Sequence, residues 1–177
     1  MDNSDLEAEQ YLQNLILSKN VKVEDNRLLL LGRPGIMMNA EFIVSFSKYL
    51  ADYNKDLVIK LGKQLGTSIA KDYKARFNDP NKMMSFLSSI TPLVGIGKIK
   101  IDVEKAQIIT SISPSVLAET YVKLFGLSKE PACYFTFGLI NELLETIFEK
   151  KFNTSEIECV AAGNNMCKFL TTEVDND

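Results

Sequence analysis

The chain has 177 residues, 46% of them hydrophobic and 24% charged, which is typical of a soluble globular protein with a substantial core. The formal net charge is −3 with acidic and basic residues interspersed, so no basic surface for direct nucleic-acid binding is expected. No apolar run is long enough to cross a bilayer, and the lack of histidine excludes Ser-His-Asp and Cys-His catalysis.

Hydrophobic periodicity and turn residues predict helices and one short hairpin in the first half of the chain. The predicted helices are 6–17, 40–53 (capped by Asn39), 56–77 and 81–90, and the predicted strands are 21–23 and 28–31, joined by a turn at 24–26. The Gly-Arg-Pro-Gly segment 32–35 is predicted to break the second strand. Gly62 and Gly66 lie on one helix face, where each costs up to about 1 kcal/mol relative to Ala, so a close approach of another backbone is expected there.

The second half begins with apolar and polar residues in alternation, which predicts strands. Strands 99–103 and 107–112 are predicted with a turn at Glu104-Lys105, Ser113-Pro114 are predicted to start a helix that ends near Gly126, helix 131–150 follows, strands 154–161 and 167–174 form a closing hairpin through 163–165, and 175–177 fray. Because helices and hairpins do not alternate as βαβ units, the predicted fold is α+β, with helices packed against an antiparallel sheet.

The cysteines are the most informative residues of the chain. Cys133, Cys159 and Cys167 are its only thiols, and Glu156 precedes the second of them by three residues. Tetrahedral Zn²⁺ accepts thiolate and carboxylate ligands, and sulfur donors favour zinc over calcium or magnesium. Such a site would tie the closing hairpin to the long helix, whose first turn favours a thiolate at Cys133. The alternative is that the three thiols are buried as small hydrophobic side chains.

Strand geometry and charge place conditions on this zinc site. Residues three apart on a regular strand face opposite sides, so Glu156 and Cys159 can share an ion only if the strand bulges, twists strongly or starts after Glu156. Glu158 is the competing carboxylate. Three thiolates and one carboxylate around Zn²⁺ leave a formal charge of about −2, which backbone N–H groups or Lys168 would offset.

The thiols also bear on the cellular compartment. The first nine residues are polar and acidic, so no secretory signal is visible. An odd number of thiols without such a signal predicts a reducing, cytoplasmic compartment.

The segment 133–169 resembles the 4-vinyl-reductase (4VR) domain family. The residues that carry the resemblance are Cys133-Tyr134, Gly138-Leu139, Glu156 with Cys159, Gly163, and Cys167-Lys168-Phe169. The Gly62 and Gly66 pair is also similar to the glycine-containing helix of that family. The similarity is densest over 133–169, and the whole chain, 1–177, is predicted to be a single domain of this kind.

The resemblance implies a fold shared with heme-free relatives of nitric-oxide sensors and with subunits of the TRAPP vesicle-tethering complex. It further implies a pocket for an apolar small molecule or lipid, and a homodimer. In sensory members attached to aromatic-responsive transcription activators, zinc is held at positions that match Cys133, Glu156, Cys159 and Cys167, which assigns Glu156 over Glu158. Phenol-sensing members use a His and a Trp in their pocket. This chain has neither, which excludes a phenol recognised by that pair.

The favoured hypothesis is a stand-alone sensory or ligand-binding module with a structural zinc ion, because a closed four-ligand shell leaves no position for water. One alternative is a reductase or accessory factor acting on a tetrapyrrole vinyl group. No nicotinamide or flavin fingerprint is present, and proton donors would be restricted to Tyr, Lys or carboxylates, so binding is favoured over catalysis. Another alternative is a dimeric scaffold that uses strand 28–31 or the Gly62/Gly66 face. Candidate pocket residues, which can equally be core residues, are Met37, Met38, Met83 and Met84.

Overall fold

The computed structural model describes residues 3–104 and 107–174, which form two compact units, Met1–Asn39 and Ala40–Asp177. Lys105 of the predicted turn and the predicted frayed tail 175–177 lie outside the described residues. Among the described helices, none combines the length and the apolar character needed to span a membrane. The single domain over 1–177 stays a prediction.

The first unit is a helix followed by a three-stranded antiparallel meander. Its elements are α1 (Asn3–Leu17), β1 (Val21–Glu24), β2 (Arg27–Leu30) and β3 (Arg33–Gly35). Asp25 and Asn26 have φ angles of 48° and 60°, which suit the two-residue loop of a β-hairpin and confirm the predicted turn. The predicted break at 32–35 is wrong in part, because the chain turns at Leu31-Gly32 and residues 33–35 then pair with β2 as an edge strand, where Pro34 is tolerated.

The second unit confirms the predicted α+β fold. Its helices are α2 (Ala40–Tyr53), α3 (Lys55–Lys74), α4 (Pro80–Ile90), α5 (Val116–Phe125) and α6 (Tyr134–Phe148). Its strands are β4 (Ile99–Val103), β5 (Gln107–Ile112), β6 (Phe152–Glu158) and β7 (Cys167–Glu173), with a short 3₁₀ turn at Val160–Ala162. The sheet has the order β4-β5-β7-β6, and every neighbouring pair is antiparallel. The closing hairpin β6–β7 therefore completes the sheet, as predicted.

Several predicted helix ends are displaced, each for a local reason. Helix α3 starts one residue earlier than predicted, because the Asn54 side chain accepts the N–H of Asp56 at 2.9 Å, and it ends at Lys74 instead of Phe77. The prediction that Ser113-Pro114 starts a helix is wrong, since their peptide bond is cis and α5 begins at Val116 with Ser115 at its N-cap.

Helices α3 and α6 cross at close range through glycines from both helices. A Cβ atom on Gly62 would overlap the carbonyl of Phe135, and one on Gly138 would overlap the carbonyl of Ile59. A Cβ on Gly66 would lie 2.6 Å from the carbonyl oxygen of Leu139. The predicted close approach is confirmed, and the Gly62/Gly66 face is used for packing inside the chain. This packing fixes α6, whose N-terminal end reaches the closing hairpin.

Candidate metal centre and ligand cavity

Four candidate ligands from three parts of the second unit converge at the start of α6. One ligand atom each from Cys133, Glu156, Cys159 and Cys167 lies within 4.8 Å of all the others. The Sγ atom of Cys133 is 3.6 Å from the Sγ atoms of both Cys159 and Cys167, and all three thiols are free. Two sulfurs bound to one tetrahedral zinc at about 2.3 Å are about 3.8 Å apart, whereas a disulfide requires about 2.05 Å. The sulfur spacing therefore suits a shared tetrahedral cation.

A β-bulge in β6 allows Glu156 and Cys159 to face the same site. Glu156 pairs with Phe169 while Glu158 pairs with Lys168, so Ile157 is an extra residue on this strand. The bulge is one of the three geometries that the sequence required. Glu158 is turned away from the sulfurs and accepts a hydrogen bond from Lys168 Nζ at 2.6 Å. The structure thus brings Glu156, and not Glu158, to the thiols, and Lys168 neutralises Glu158.

Cys133 lies at the N-cap of α6, one position before the predicted first turn. Its φ and ψ angles of −86° and 41° are not helical, so α6 begins at Tyr134 and not at Pro131. The carbonyl of Cys133 accepts the N–H of Phe137 at 2.8 Å. Its own N–H donates to Glu156 Oε2 at 3.2 Å, which joins the helix start to β6. Both the sulfur and the amide of Cys133 therefore face the candidate ligand set.

Local turn geometry positions the other two thiols. Cys159 precedes the 3₁₀ turn, and its N–H donates to the Asn164 side-chain oxygen at 3.0 Å. The N–H of Val160 donates to Cys167 Sγ at 3.4 Å, across the mouth of the hairpin. The turn thus presents both sulfurs on one side and supplies a backbone donor to one of them. Asn164 had been predicted only as a turn residue.

The electrostatics of the cluster distinguish the three sulfurs. Hydrogen bonds to Cys159 and Cys167, together with burial, raise the pKa of the Cys133 thiol well above its usual value. Hydrogen bonds from Cys133 and Cys159 lower the pKa of Cys167 to about 4. Burial, reinforced by the nearby Cys159, raises the pKa of Glu156 to about 8. Adjacent ionisable groups cannot all carry negative charge unless a cation balances them, so the side chains alone settle on a thiolate at Cys167, and not at Cys133 as predicted.

One carboxylate oxygen gives a direct test of whether these residues fit a metal ion. Glu156 Oε1 is buried and has no hydrogen-bond partner among the residues that the structure describes. Burying such an atom without a partner is costly, and a cation would satisfy it. Three sulfurs and one oxygen are a donor set for zinc and not for calcium or magnesium. The residues therefore fit a four-coordinate divalent cation.

Ser115 is a functional candidate that the sequence did not reveal. It is only 4% exposed, and although it occupies the N-cap of α5, its side chain makes no capping hydrogen bond. Its hydroxyl hydrogen-bonds to Cys167 instead and contributes to the lowered pKa of that thiol. Nothing in the local sequence distinguishes this serine from an ordinary helix cap.

A cavity of about 110 Å³ lies beside the cluster, between α2, α5 and the start of α6. Its walls are mainly apolar and include Val44, Leu117, Ala118 and Phe135, and Cys133 also lines it. The lining residues at its mouth include two ion pairs, Lys48–Asp52 and Lys55–Glu130. An apolar cavity of about 150 Å³ accommodates benzene, so this one has the scale of a small ring or a short chain.

The methionines considered as pocket residues lie elsewhere. Met83 and Met84 are buried core residues of α4, while Met37 and Met38 are 90% and 48% exposed. None of these four described residues lines the cavity. Their core alternative is confirmed for the α4 pair.

The comparison with protein families agrees with the resemblance carried by the cysteine segment. Residues 111–173 match the family model of the vinyl-4-reductase domain, so the predicted resemblance is confirmed over this segment. A 95-residue stretch is 35% identical to the uncharacterized protein MJ1460 of Methanocaldococcus jannaschii and covers 53% of this chain and 57% of that protein. The uncharacterized protein MJ0745 of the same organism is 27% identical over 114 residues, which cover 64% of this chain and 52% of that protein. The chain thus spans little more than half the length of these two relatives.

Solved structures share the fold. The phenol-responsive sensory domain of the transcription activator PoxR, solved with phenol, superposes with a TM-score of 0.76 at 16% identity over 93% of this chain and 89% of that one. A vinyl-4-reductase family protein from M. jannaschii has a TM-score of 0.56 at 24% identity over 80% and 85% of the two chains. The SO2144 H-NOX domain from Shewanella oneidensis, in its Fe(II)CO ligation state, has a TM-score of 0.52 at 16% identity over 94% and 90%. At these identities the similarity establishes the fold alone.

Proposed function

We propose that this chain is a sensory, ligand-binding module in which a structural Zn²⁺ ion holds the closing hairpin and the cavity binds an apolar small molecule. One observation carries the proposal, namely that three thiols and an unpartnered buried carboxylate oxygen converge directly beside an apolar cavity. The similarity in fold to a phenol-responsive sensory domain supports the sensory part.

The candidate ligands would tie together segments distant in sequence. Cys133 would attach the start of α6, while Glu156, Cys159 and Cys167 would attach the two strands of the hairpin. The bound ion would supply the positive charge that allows all four groups to ionise together. The Val160 N–H and the Ser115 hydroxyl would stabilise the negative charge on Cys167. Four protein ligands leave no open position for water, so the role is structural and not catalytic.

The cavity narrows the class of ligand. Its volume of about 110 Å³ and its apolar walls favour a compact, mostly apolar molecule over a long lipid chain. The hydroxyls of Ser47 and Thr136 line it and can bind one polar group of the ligand. Since the chain has neither histidine nor tryptophan, any such group is recognised differently from phenol in the His- and Trp-containing members of the family.

The proposal includes the predicted homodimer and the reducing, cytoplasmic compartment. Helix α2 carries an exposed aromatic stripe of the kind that marks interaction surfaces. Its members are Phe42, Phe46, Tyr49 and Tyr53. Light scattering on the purified chain should give twice the monomer mass if this surface pairs two copies.

The proposal is tested by what purifies with the protein. Protein prepared under reducing conditions without added metal should contain about one equivalent of zinc, and less than about half an equivalent would contradict the metal centre. Native mass spectrometry of the same sample should detect a bound apolar molecule, or binding of added benzene or toluene. Failure to bind any such molecule by this method and by NMR titration would contradict the ligand-binding role.

A further inference from the structure

Cys133 takes part in both the candidate metal centre and the cavity. Its Sγ atom is 3.6 Å from the Sγ atoms of Cys159 and Cys167, and it lines the cavity together with its neighbours Ala132 and Tyr134. Cys133 is 8% exposed, whereas the other two thiols are 0% exposed and do not line the cavity. Of the three described sulfurs, it is therefore the one placed between the two sites.

A second connection joins the same cavity wall to the hairpin. Ala161 lies in the 3₁₀ turn between Cys159 and Cys167, and it lines the cavity while only 1% exposed. Its carbonyl accepts the N–H of Ser128, another lining residue, at 2.7 Å. The wall formed by the segment 128–136 is thus attached at two points to the hairpin that carries the other candidate ligands.

We propose that Cys133 couples the two sites, so that a molecule in the cavity tightens metal binding and metal binding tightens the cavity for that molecule. This inference rests on the proposed function and names how its ligand site is regulated. Bonds from Cys133 to the cation would fix the start of α6, and with it the wall that the cavity ligand contacts. Both binding events order the same segment, so the second costs less than the first. Linked binding is reciprocal, and the coupling factor is ordinarily about 5- to 150-fold.

The test uses Co²⁺ in place of zinc and benzene as the probe. Absorption bands of a Co²⁺–thiolate centre report the arrangement of the sulfurs, so they give a readout that does not depend on unfolding. We expect saturating benzene to shift these bands and to raise the affinity for Co²⁺ at least about 5-fold in competition with a chelator. In the variant Ala51→Leu, which fills the cavity from α2, the Co²⁺ spectrum should remain while both effects of benzene disappear.

The possible outcomes separate this inference from the proposed function. If NMR shows benzene in the cavity of the Co²⁺-loaded protein but the bands and the Co²⁺ affinity do not change, the coupling is overturned and the proposed function stands. If benzene acts equally on Ala51→Leu, it binds elsewhere and the coupling is also overturned. Failure to bind Co²⁺, or failure of the loaded protein to bind benzene, overturns the coupling together with the corresponding part of the proposed function.

Discussion

The backbone N–H of Cys133 donates to Glu156 Oε2 at 3.2 Å, while the other oxygen of the same carboxylate is buried and has no partner among the described residues. One oxygen therefore fixes the orientation of the side chain, and the other is free to bind a cation beside the three sulfurs. Metal ligands are commonly oriented by such hydrogen bonds. This arrangement makes Glu156 the most sensitive point of the proposed centre.

Glu156→Gln should weaken zinc binding by more than about 100-fold, because even the loss of a group that only supports a ligand costs about 10- to 100-fold. The matched control is Glu158→Gln, which removes a charge two residues away that pairs with Lys168. Competition with a chromophoric chelator measures both affinities. Equal affinities in the two variants, or a larger loss in the control, would show that the carboxylate ligand is assigned wrongly.

Ser115→Ala should weaken zinc binding by about 10-fold or more, because its hydroxyl stabilises the negative charge on Cys167. Ser113→Ala is the control, since Ser113 is exposed and precedes the cis peptide bond. The same chelator competition applies. An unchanged affinity in Ser115→Ala would limit this serine to packing.

Zinc affinity should rise with pH across the neutral range. Glu156, with a pKa of about 8, and Cys133, with a strongly raised pKa, are protonated near pH 7 and must lose their protons to bind a cation. Cys167, with a pKa of about 4, is already ionised there and contributes no such dependence. Calorimetry in buffers of different ionisation enthalpy should detect proton release on binding. Binding without proton release at pH 7 would contradict these assignments.

Gly138→Ala should destabilise the second unit by about 3 kcal/mol, the upper part of the range for overpacking, because the new Cβ meets a backbone carbonyl and not a flexible side chain. Gly35→Ala is the control, since its Cβ would make only ordinary contacts, the nearest at 3.8 Å. Urea unfolding at a fixed zinc concentration measures both variants. Similar stability of the two would mean that α3 and α6 can separate without cost.

The parts of the site that the sequence predicted were those that depend on residue type. Three thiols in a chain without histidine, with one carboxylate nearby, are few enough that their convergence could be inferred before the fold was known. Which carboxylate takes part depended on the bulge at Ile157, and a bulge leaves no clear signal in a single sequence. The resemblance to a family, and not the spacing, led to Glu156.

The cavity and Ser115 could not be predicted because they depend on tertiary packing. The cavity forms where α2, α5 and the start of α6 meet, and its walls are common aliphatic and aromatic side chains. Methionines were considered for their flexibility, yet Met83 and Met84 fill the core. The start of α6 was misplaced for a related reason: Pro131 suits a first helical turn, but Cys133 is held in a non-helical conformation beside Glu156.

X-ray absorption at the zinc edge, on protein purified under reducing conditions, tests the central claim most directly. The account predicts three sulfur neighbours at about 2.3 Å and one oxygen neighbour at about 2.0–2.2 Å. A shell made only of oxygen or nitrogen, or one with fewer than two sulfurs, would contradict a centre built from Cys133, Glu156, Cys159 and Cys167.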